Sequence, residues 1–200
     1  MTNGAEQEQG AGSTEQSACL DTPFGPIGLR WRPDVVTDVV TGVVTGVVTG
    51  VVTRVALTPG PDWPTADAVP DWLRAPIEAY LEHPSAVSAA ASPDGAGRDW
   101  NRCSSLAKAP TGSAFQRRVW QVISAIPAGR TRTYGEIAAE LGSAPRAVGG
   151  ACRANPYPLL VPCHRVVGAS GLGGFAGDRS GRLLAVKRWL LAHEGALIPA

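Results

Sequence analysis

The 200-residue sequence predicts an α+β chain, with strands in its first third and helices in its second half. Three observations carry that prediction. β-branched residues crowd the stretch from Thr22 to Arg54, most densely in a Val-Val-Thr repeat. From Thr111 onward, apolar residues recur at helical spacing between capping residues. Charge divides the chain at the same place: residues 1–99 carry 5 Lys+Arg against 13 Asp+Glu, and residues 100–200 carry 13 against 4. The formal net charge of +1 therefore averages a half of −8 and a half of +9. A basic half of this kind fits a polyanionic partner, although uneven charge alone does not identify one.

Taken in order, residues 1–18 are rich in Gly, Gln, Glu and Ser, which predicts a disordered tail. Thr22–Trp31 (TPFGPIGLRW) joins turn residues to an apolar and aromatic run and predicts a strand or the start of a tight hairpin. The repeat VVTD, VVTG, VVTG, VVTG, VVTR covers Val35–Arg54. Its period of four puts Val and Thr on one face of an extended chain. A slip of four leaves the pattern unchanged, so register is undetermined. A long hairpin arm and an expansion inserted between two ordinary strands both fit; strands are expected at the two ends, and the middle is aggregation-prone. Asp71–Glu82 predicts a short helix and Pro84–Gly97 a small-residue linker.

In the second half, Ser113 caps a helix in which Phe115, Val119, Val122 and Ile126 share a face, and Pro127-Ala128-Gly129 ends it. Thr133 with Glu136 three residues on forms a capping box before Ile137, Ala138 and Leu141, with Gly142 as the stop. A second short helix follows from Arg146 to Arg153, closed by Asn155-Pro156, and the pair makes a helix-turn-helix. Ala147, Gly149, Gly150 and Ala151 leave its second helix nearly bare. Each glycine costs a helix about 1 kcal/mol relative to Ala, so the backbone must be needed close to something. Tight packing on a neighbouring helix and close approach to DNA both answer that need. A last helix is expected over Ser180–His193, burying Leu183, Val186, Trp189 and Leu190.

No stretch approaches the ~20 apolar residues that span a bilayer, and Met1–Ser17 lacks the basic start and apolar run of a secretory signal. The expectation is a cytoplasmic protein with no membrane partner. Cys19, Cys103, Cys152 and Cys163 contain no CxxC pair, so free thiols are expected in place of a disulfide framework or zinc knuckle.

One constellation carries chemistry: Pro162-Cys163-His164-Arg165-Val166-Val167. A cysteine in an apolar run is ordinarily inert core. Here Pro162 fixes the backbone ahead of the thiol, while His164 and Arg165 bring basic groups that favour the thiolate over its ordinary pKa of about 8.5. Adjacent side chains of an extended segment point to opposite sides, which makes a direct Cys163–His164 bond awkward. A bridging water, with a carboxylate on the far imidazole nitrogen, meets that geometry.

PCHRVV (162–167), together with RAVGGACRANP (146–156), FQRRVW (115–120), TYGEIA (133–138) and WLLAHEG (189–195), resembles the O6-alkylguanine-DNA alkyltransferase (methylated-DNA–protein-cysteine methyltransferase) family over about 85 continuous residues. Residues 19–110 resemble its N-terminal domain only through the TPFGPIGL start, and the Val-Val-Thr repeat lies outside the family pattern. The resemblance implies a tail (1–18), a ribonuclease-H-like N-terminal domain with a three-stranded antiparallel sheet (19–110), and a mostly helical, winged-helix-like C-terminal domain that carries catalysis and DNA binding (111–200). It implies a DNA-repair enzyme that works as a monomer on alkylated double-stranded DNA, once per molecule and without a cofactor. Cooperative assembly on DNA and activity on O4-methylthymine stay open.

By the same resemblance Cys163 is the alkyl acceptor, His164 a base acting through water, and Glu194 its orienting partner. Tyr134 assists base rotation and donates a proton to the departing guanine, and Asn155 is a hinge between the second helix and the active-site loop. Arg146 fills the gap left by the flipped base. Ala147, Gly149, Gly150, Ala151, Arg153, Thr133 and Arg132 face DNA, with Arg118 a further phosphate contact, and the bare helix enters the minor groove. Cys152, Val166, Val167, Phe175 and Ala176 line the substrate pocket. Departures from the pattern are a turn about two residues shorter between Gly142 and Arg146, a loop one residue short over Gly168–Gly177, and an insertion at Asp178–Arg182. Cys19, His83 and Cys103 do not match the zinc-ligand spacing of some members, so no metal is expected. A binding-only relative would lack the acceptor cysteine, a transcription regulator would carry long polar side chains on its second helix, and a cysteine hydrolase would need an oxyanion arrangement that is not apparent here.

Overall fold

A computed structural model describes residues 14–38, 45–61, 63–64, 69–82 and 112–197. Its first element is a three-stranded antiparallel sheet in the order β1 (Gln16–Leu20), β2 (Ile27–Asp38), β3 (Thr45–Ala56). The tail predicted over residues 1–18 is therefore too long, because Gln16, Ser17 and Ala18 pair with Trp31, Arg30 and Leu29. The apolar side chains of Ala18 and Leu20 give those residues a face to bury, which the composition of the tail as a whole obscured. The Val-Val-Thr repeat enters both β2 and β3 and pairs with itself, from Val35↔Val48 to Asp38↔Thr45, as a hairpin arm. A bulge sits where the arm joins the sheet: Arg30 opposes Arg54, while Trp31 opposes Val52. The middle of the repeat, residues 39–44, and the linker expected at Pro84–Gly97 lie outside the described residues.

Alternation along the sheet buries Ile27, Leu29 and Trp31 of β2 on one face, together with Val52 and Val55 of β3. Helix α1 (Asp71–Glu82) matches the predicted span and contributes Leu73, Ile77 and Tyr80 to the same core.

The second half begins with α2 (Ala114–Ser124), whose capping box is complete: the Ser113 hydroxyl accepts from Gln116 N, and Gln116 Oε1 accepts from Ser113 N. Its buried stripe is Val119, Trp120 and Ile123, with Ile126 just beyond the helix; Phe115 and Val122 only flank it. Strand β4 (Arg132–Thr133) runs directly into α3 (Tyr134–Glu140), capped by Thr133 and Glu136 as expected. Gly142, at φ 60°, ends the turn after α3 in a conformation that favours glycine. Then α4 (Pro145–Arg153) starts on Pro145, a residue suited to a helix's first turn. Trp120 Nε1 donates to Ala151 O at 2.8 Å and fixes α4 to α2.

The segment 159–168 is not extended throughout. Cys163–Arg165 form a 3₁₀ turn, followed by β5 (Val166–Val167), which pairs in parallel with β4. The last helix, α5, covers Arg182–His193, two residues shorter at its start than predicted. It buries Val186, Lys187, Leu190 and Leu191, with Leu183 and Trp189 partly buried against the core.

The two halves meet along α1, β3 and α5. Val55 N donates to Pro156 O at 2.9 Å, His193 Nε2 donates to Tyr80 O at 2.8 Å, and the rings of Phe24 and Trp189 lie 5.1 Å apart. Among the described residues no helix is long and apolar enough to cross a membrane.

Candidate active site

Cys163 opens the 3₁₀ turn at the base of a cavity of about 1040 Å³. Tyr134 of α3, the exposed face of α4 and the loop 168–179 form its walls. The thiol is 3% exposed, so burial raises its pKa; a hydrogen bond from Asn155 and the charge of Lys187 pull the other way. His164 and Arg165, expected to favour the thiolate, do not supply that support. The 3₁₀ turn brings both onto Glu194.

Glu194, at the C-terminal cap of α5, is the hub of a buried network. His164 Nε2 lies 2.9 Å from its Oε1, and Arg165 grips both oxygens, Nε to Oε2 at 3.0 Å and Nη2 to Oε1 at 2.8 Å. Gly129 N donates to Oε2 at 3.2 Å, and Tyr80 Oη donates to Oε1 at 2.6 Å. Burial alone would raise this carboxyl's pKa, but the bonds from His164 and Arg165 prevail and hold it far below the usual carboxylate range. An ionised Glu194 only accepts, so His164 Nε2 carries the proton and Nδ1 presents a lone pair. Nδ1 is buried and makes no hydrogen bond to the protein. Burial holds the imidazole below its ordinary pKa of 6.5, with Glu194 opposing, so the ring is neutral at pH 7.

Asn155 follows α4 and ties it to the cysteine turn. Its Nδ2 donates to Val161 O at 2.8 Å and to Cys163 Sγ at 3.2 Å, and its Oδ1 accepts from Tyr157 N at 3.0 Å. The hinge role expected through backbone bonds is thus joined by a direct bond to the thiol. Tyr134 Oη donates to Gly174 O at 3.0 Å; burial, then the nearby thiols, raise its pKa, so the hydroxyl keeps its proton. Gly173 makes room for this ring, since a Cβ there would fall 2.9 Å from Tyr134 Cε2, and its φ of 64° also favours glycine.

Arg146, Gly149, Gly150, Cys152, Arg153, Phe175 and Ala176 all border the cavity. Three expected positions do not fit. Val166 and Val167 are wholly buried in β5 behind the cavity, because their pairing with β4 turns them into the core. Ala151 is 2% exposed on the inner face of α4, beneath Trp120, and cannot meet DNA. Arg146, Ala147, Gly150 and Arg153 are exposed and Gly149 is half-buried. Thr133 spends its hydroxyl on Glu136, and Arg132 is paired with Glu140 at 2.7 Å. Arg118 lies exposed on α2. The glycines of α4 now separate the two explanations for the bare helix. A Cβ on Gly150 would meet nothing within 4 Å, and one on Gly149 only Tyr134 at 4.0 Å. Packing within the protein therefore does not require them.

Lys187 is the functional residue that sequence reasoning missed. Fully buried, it donates to the carbonyls of Val166, Leu172 and Gly174 at 2.6, 2.6 and 2.9 Å, and its ammonium lies 5.8 Å from the centre of the Tyr134 ring. It pins the cavity loop to β5, and burial lowers its pKa to about 8, with Cys163 and Cys152 opposing. The signal was its place at core spacing between Leu183 and Leu190. Arg165 was noticed only as a charge, and Tyr80, 114 residues from Glu194, gave no sequence signal. Cys152, expected only as a wall residue, shares the cavity with Cys163 as a second buried thiol. Among the described residues no group of His, Cys, Asp and Glu could hold a metal; His83 and Cys103 lie outside them.

Residues 114–196 match the family described as 6-O-methylguanine DNA methyltransferase, DNA binding domain. Methylated-DNA–protein-cysteine methyltransferases are 50% identical over 96 residues in Salmonella typhimurium (46% of this chain, 53% of that one) and 56% identical over 82 residues in Mycolicibacterium paratuberculosis (38% and 50%). The human protein of that name is 49% identical over 86 residues, covering 41% of this chain and 39% of its own. The chain thus spans about half the length of the bacterial relatives it matches. Similar solved structures include Mycobacterium tuberculosis O6-methylguanine methyltransferase (TM-score 0.58, 27% identity, 91% of this chain and 93% of that one). Another is the Mycobacterium tuberculosis OGT in complex with DNA (TM-score 0.55, 29% identity, 92% and 95%).

Proposed function

We propose that this chain, whose residues 114–196 match the 6-O-methylguanine DNA methyltransferase DNA-binding-domain family, is a methylated-DNA–protein-cysteine methyltransferase that repairs O6-alkylguanine in duplex DNA by moving the alkyl group onto Cys163. The observation that carries this reading is a buried thiol at the base of a cavity bordered by a bare helix, backed by a histidine whose far nitrogen is locked to an ionised carboxylate.

The chemistry follows from the charges. At rest the thiol is neutral, because burial outweighs its support from Asn155 and Lys187. His164 Nδ1 takes its proton through a water, and the imidazolium that forms is stabilised by Glu194. The sulfur attacks the alkyl carbon in line; the S–C bond forms as the C–O bond breaks. The departing guanine anion takes a proton from Tyr134 Oη, which exchanges Gly174 O for the base, and the proton held on the His164 imidazolium returns through water to the tyrosinate, so that the thiol's proton ends on guanine. Cys163 ends as a thioether, a poor leaving group, so each chain acts once and needs no cofactor.

Reaching the base requires extruding the nucleotide, at a cost of a few kcal/mol in stacking. Arg146, exposed at the cavity mouth near the start of α4, suits the vacated space in the stack, and Ala147, Gly149 and Gly150 let the backbone approach the minor groove. Arg153 adds a phosphate contact. Within this reading, the part of the chain that begins with β1 forms a ribonuclease-H-like domain and the part that begins with α2 a winged-helix-like one, in a monomeric cytoplasmic protein. Cys163→Ala is expected to abolish alkyl transfer while duplex binding persists; loss of both would assign the cysteine a structural role instead.

A further inference from the structure

Among the described residues of the N-terminal half, Tyr80 reaches the Glu194 network. Tyr80 of α1 is fully buried, and its hydroxyl donates at 2.6 Å to Glu194 Oε1, the oxygen that also accepts from His164 Nε2 and Arg165 Nη2. The ring stands edge-on to His193 with centroids 5.5 Å apart, and the Tyr80 carbonyl accepts from His193 Nε2, so α5 clamps this residue beside the carboxylate. A phenylalanine would fill the same volume. What the tyrosine adds is a donor on the oxygen that holds His164.

We propose that Tyr80 is a positioning residue for alkyl transfer: by sharing Glu194 Oε1 it limits the negative charge that His164 feels, and so sets the basicity of His164. This rests on the proposed function for its effect on transfer. A carboxylate raises the proton affinity of an imidazole bonded to it, and each further donor on the same oxygen weakens that pull. The other groups around the pair are the guanidinium of Arg165, which bonds both Glu194 and the Tyr80 hydroxyl and, with the ammonium of Lys187, disfavours the imidazolium by its charge, the N–H of Gly129 on the second oxygen of Glu194, and His193, which bonds the Tyr80 carbonyl. None of them occupies the position of the Tyr80 hydroxyl.

The test compares wild type, Tyr80→Phe, and a chain carrying 3,5-difluorotyrosine at position 80, a stronger donor of nearly the same shape. Single-turnover methyl transfer from an O6-methylguanine duplex is measured against pH, and the His164 Nε2–H proton resonance is followed in ¹⁵N-histidine-labelled protein. In Tyr80→Phe the acid limb should move up by about one pH unit, with duplex affinity unchanged and the resonance moved downfield. The fluorinated residue should move both the other way, and decides the matter alone if Tyr80→Phe does not fold. pH profiles and resonances that superimpose on wild type would overturn the proposal. If wild type transfers no methyl group, the proposed function fails, and the resonance still decides the role of Tyr80.

Discussion

Asn155 Nδ2 donates to Cys163 Sγ at 3.2 Å, and the same amide nitrogen donates to Val161 O at 2.8 Å. One side chain thus connects the end of α4, the helix facing the proposed duplex, to the thiol proposed to accept the alkyl group. Asn155→Ala would leave the Val161 carbonyl and the Tyr157 N–H without their partner and remove a donor that favours the thiolate. The expected outcome is a stability loss of about 1–3 kcal/mol in urea denaturation and a transfer rate at least about tenfold lower. An unchanged single-turnover rate in a folded variant would sever that link.

Gly150 can be tested in the opposite sense. Its Cβ position is open, so Gly150→Ala should raise the stability of the free protein by about 0.5–1 kcal/mol. If the glycine serves a close approach to DNA, the same change should weaken duplex binding in a fluorescence anisotropy titration. Stabilisation with undiminished binding would remove the reason given for the bare helix.

Lys187→Met keeps the length of the side chain but deprives the carbonyls of Val166, Leu172 and Gly174 of their shared donor. A loss of roughly 1–3 kcal/mol is expected by thermal or urea denaturation, with slower transfer as the cavity loop loosens and the thiol loses a neighbouring cation. Transfer at the wild-type rate would show that the lysine acts on the fold alone.

Acid should destabilise the protein in two stages. The folded-state pKa of His164 is below its ordinary 6.5, so as pH falls through 6.5 the unfolded chain binds a proton that the folded one refuses, and stability drops. Glu194 is likewise held far below its ordinary 4.5, so its contribution, full above that value, is lost as pH falls further. The first stage should flatten in His164→Gln, as read from urea midpoints between pH 7.5 and 5. Equal slopes in the two proteins would mean that the imidazole is not held neutral.

Local rules made much of this molecule legible. The cap at Ser113, the capping box at Thr133, the glycine after α3 and the span of α1 follow from short-range chemistry, and the structure repeats them. The approximate positions of β2 and β3 were visible in the β-branched runs, but not their pairing, because a period-four repeat fits many registers, and β1 fell largely within the predicted tail. In the site, Cys163, His164, Asn155 and Tyr134 stand out through motif and neighbourhood. Lys187, Arg165 and Tyr80 did not, because their roles come from burial and from bonds across 13 to 114 residues of sequence. Val166, Val167 and Ala151 were misplaced for the converse reason: lying within a motif does not say which way a side chain points, and pairing and packing turned these three inward.

The central claim is that Cys163 itself accepts the alkyl group, once. Purified protein would be incubated with excess O6-methylguanine duplex, then analysed by intact mass and by mass spectrometry of its peptides. The expected result is a single added CH₂ per chain, located on the Cys163 sulfur, with one guanine restored for each modified chain. A methyl group on Cys152 or Cys19 in place of Cys163, or more guanines restored than chains present, would contradict it.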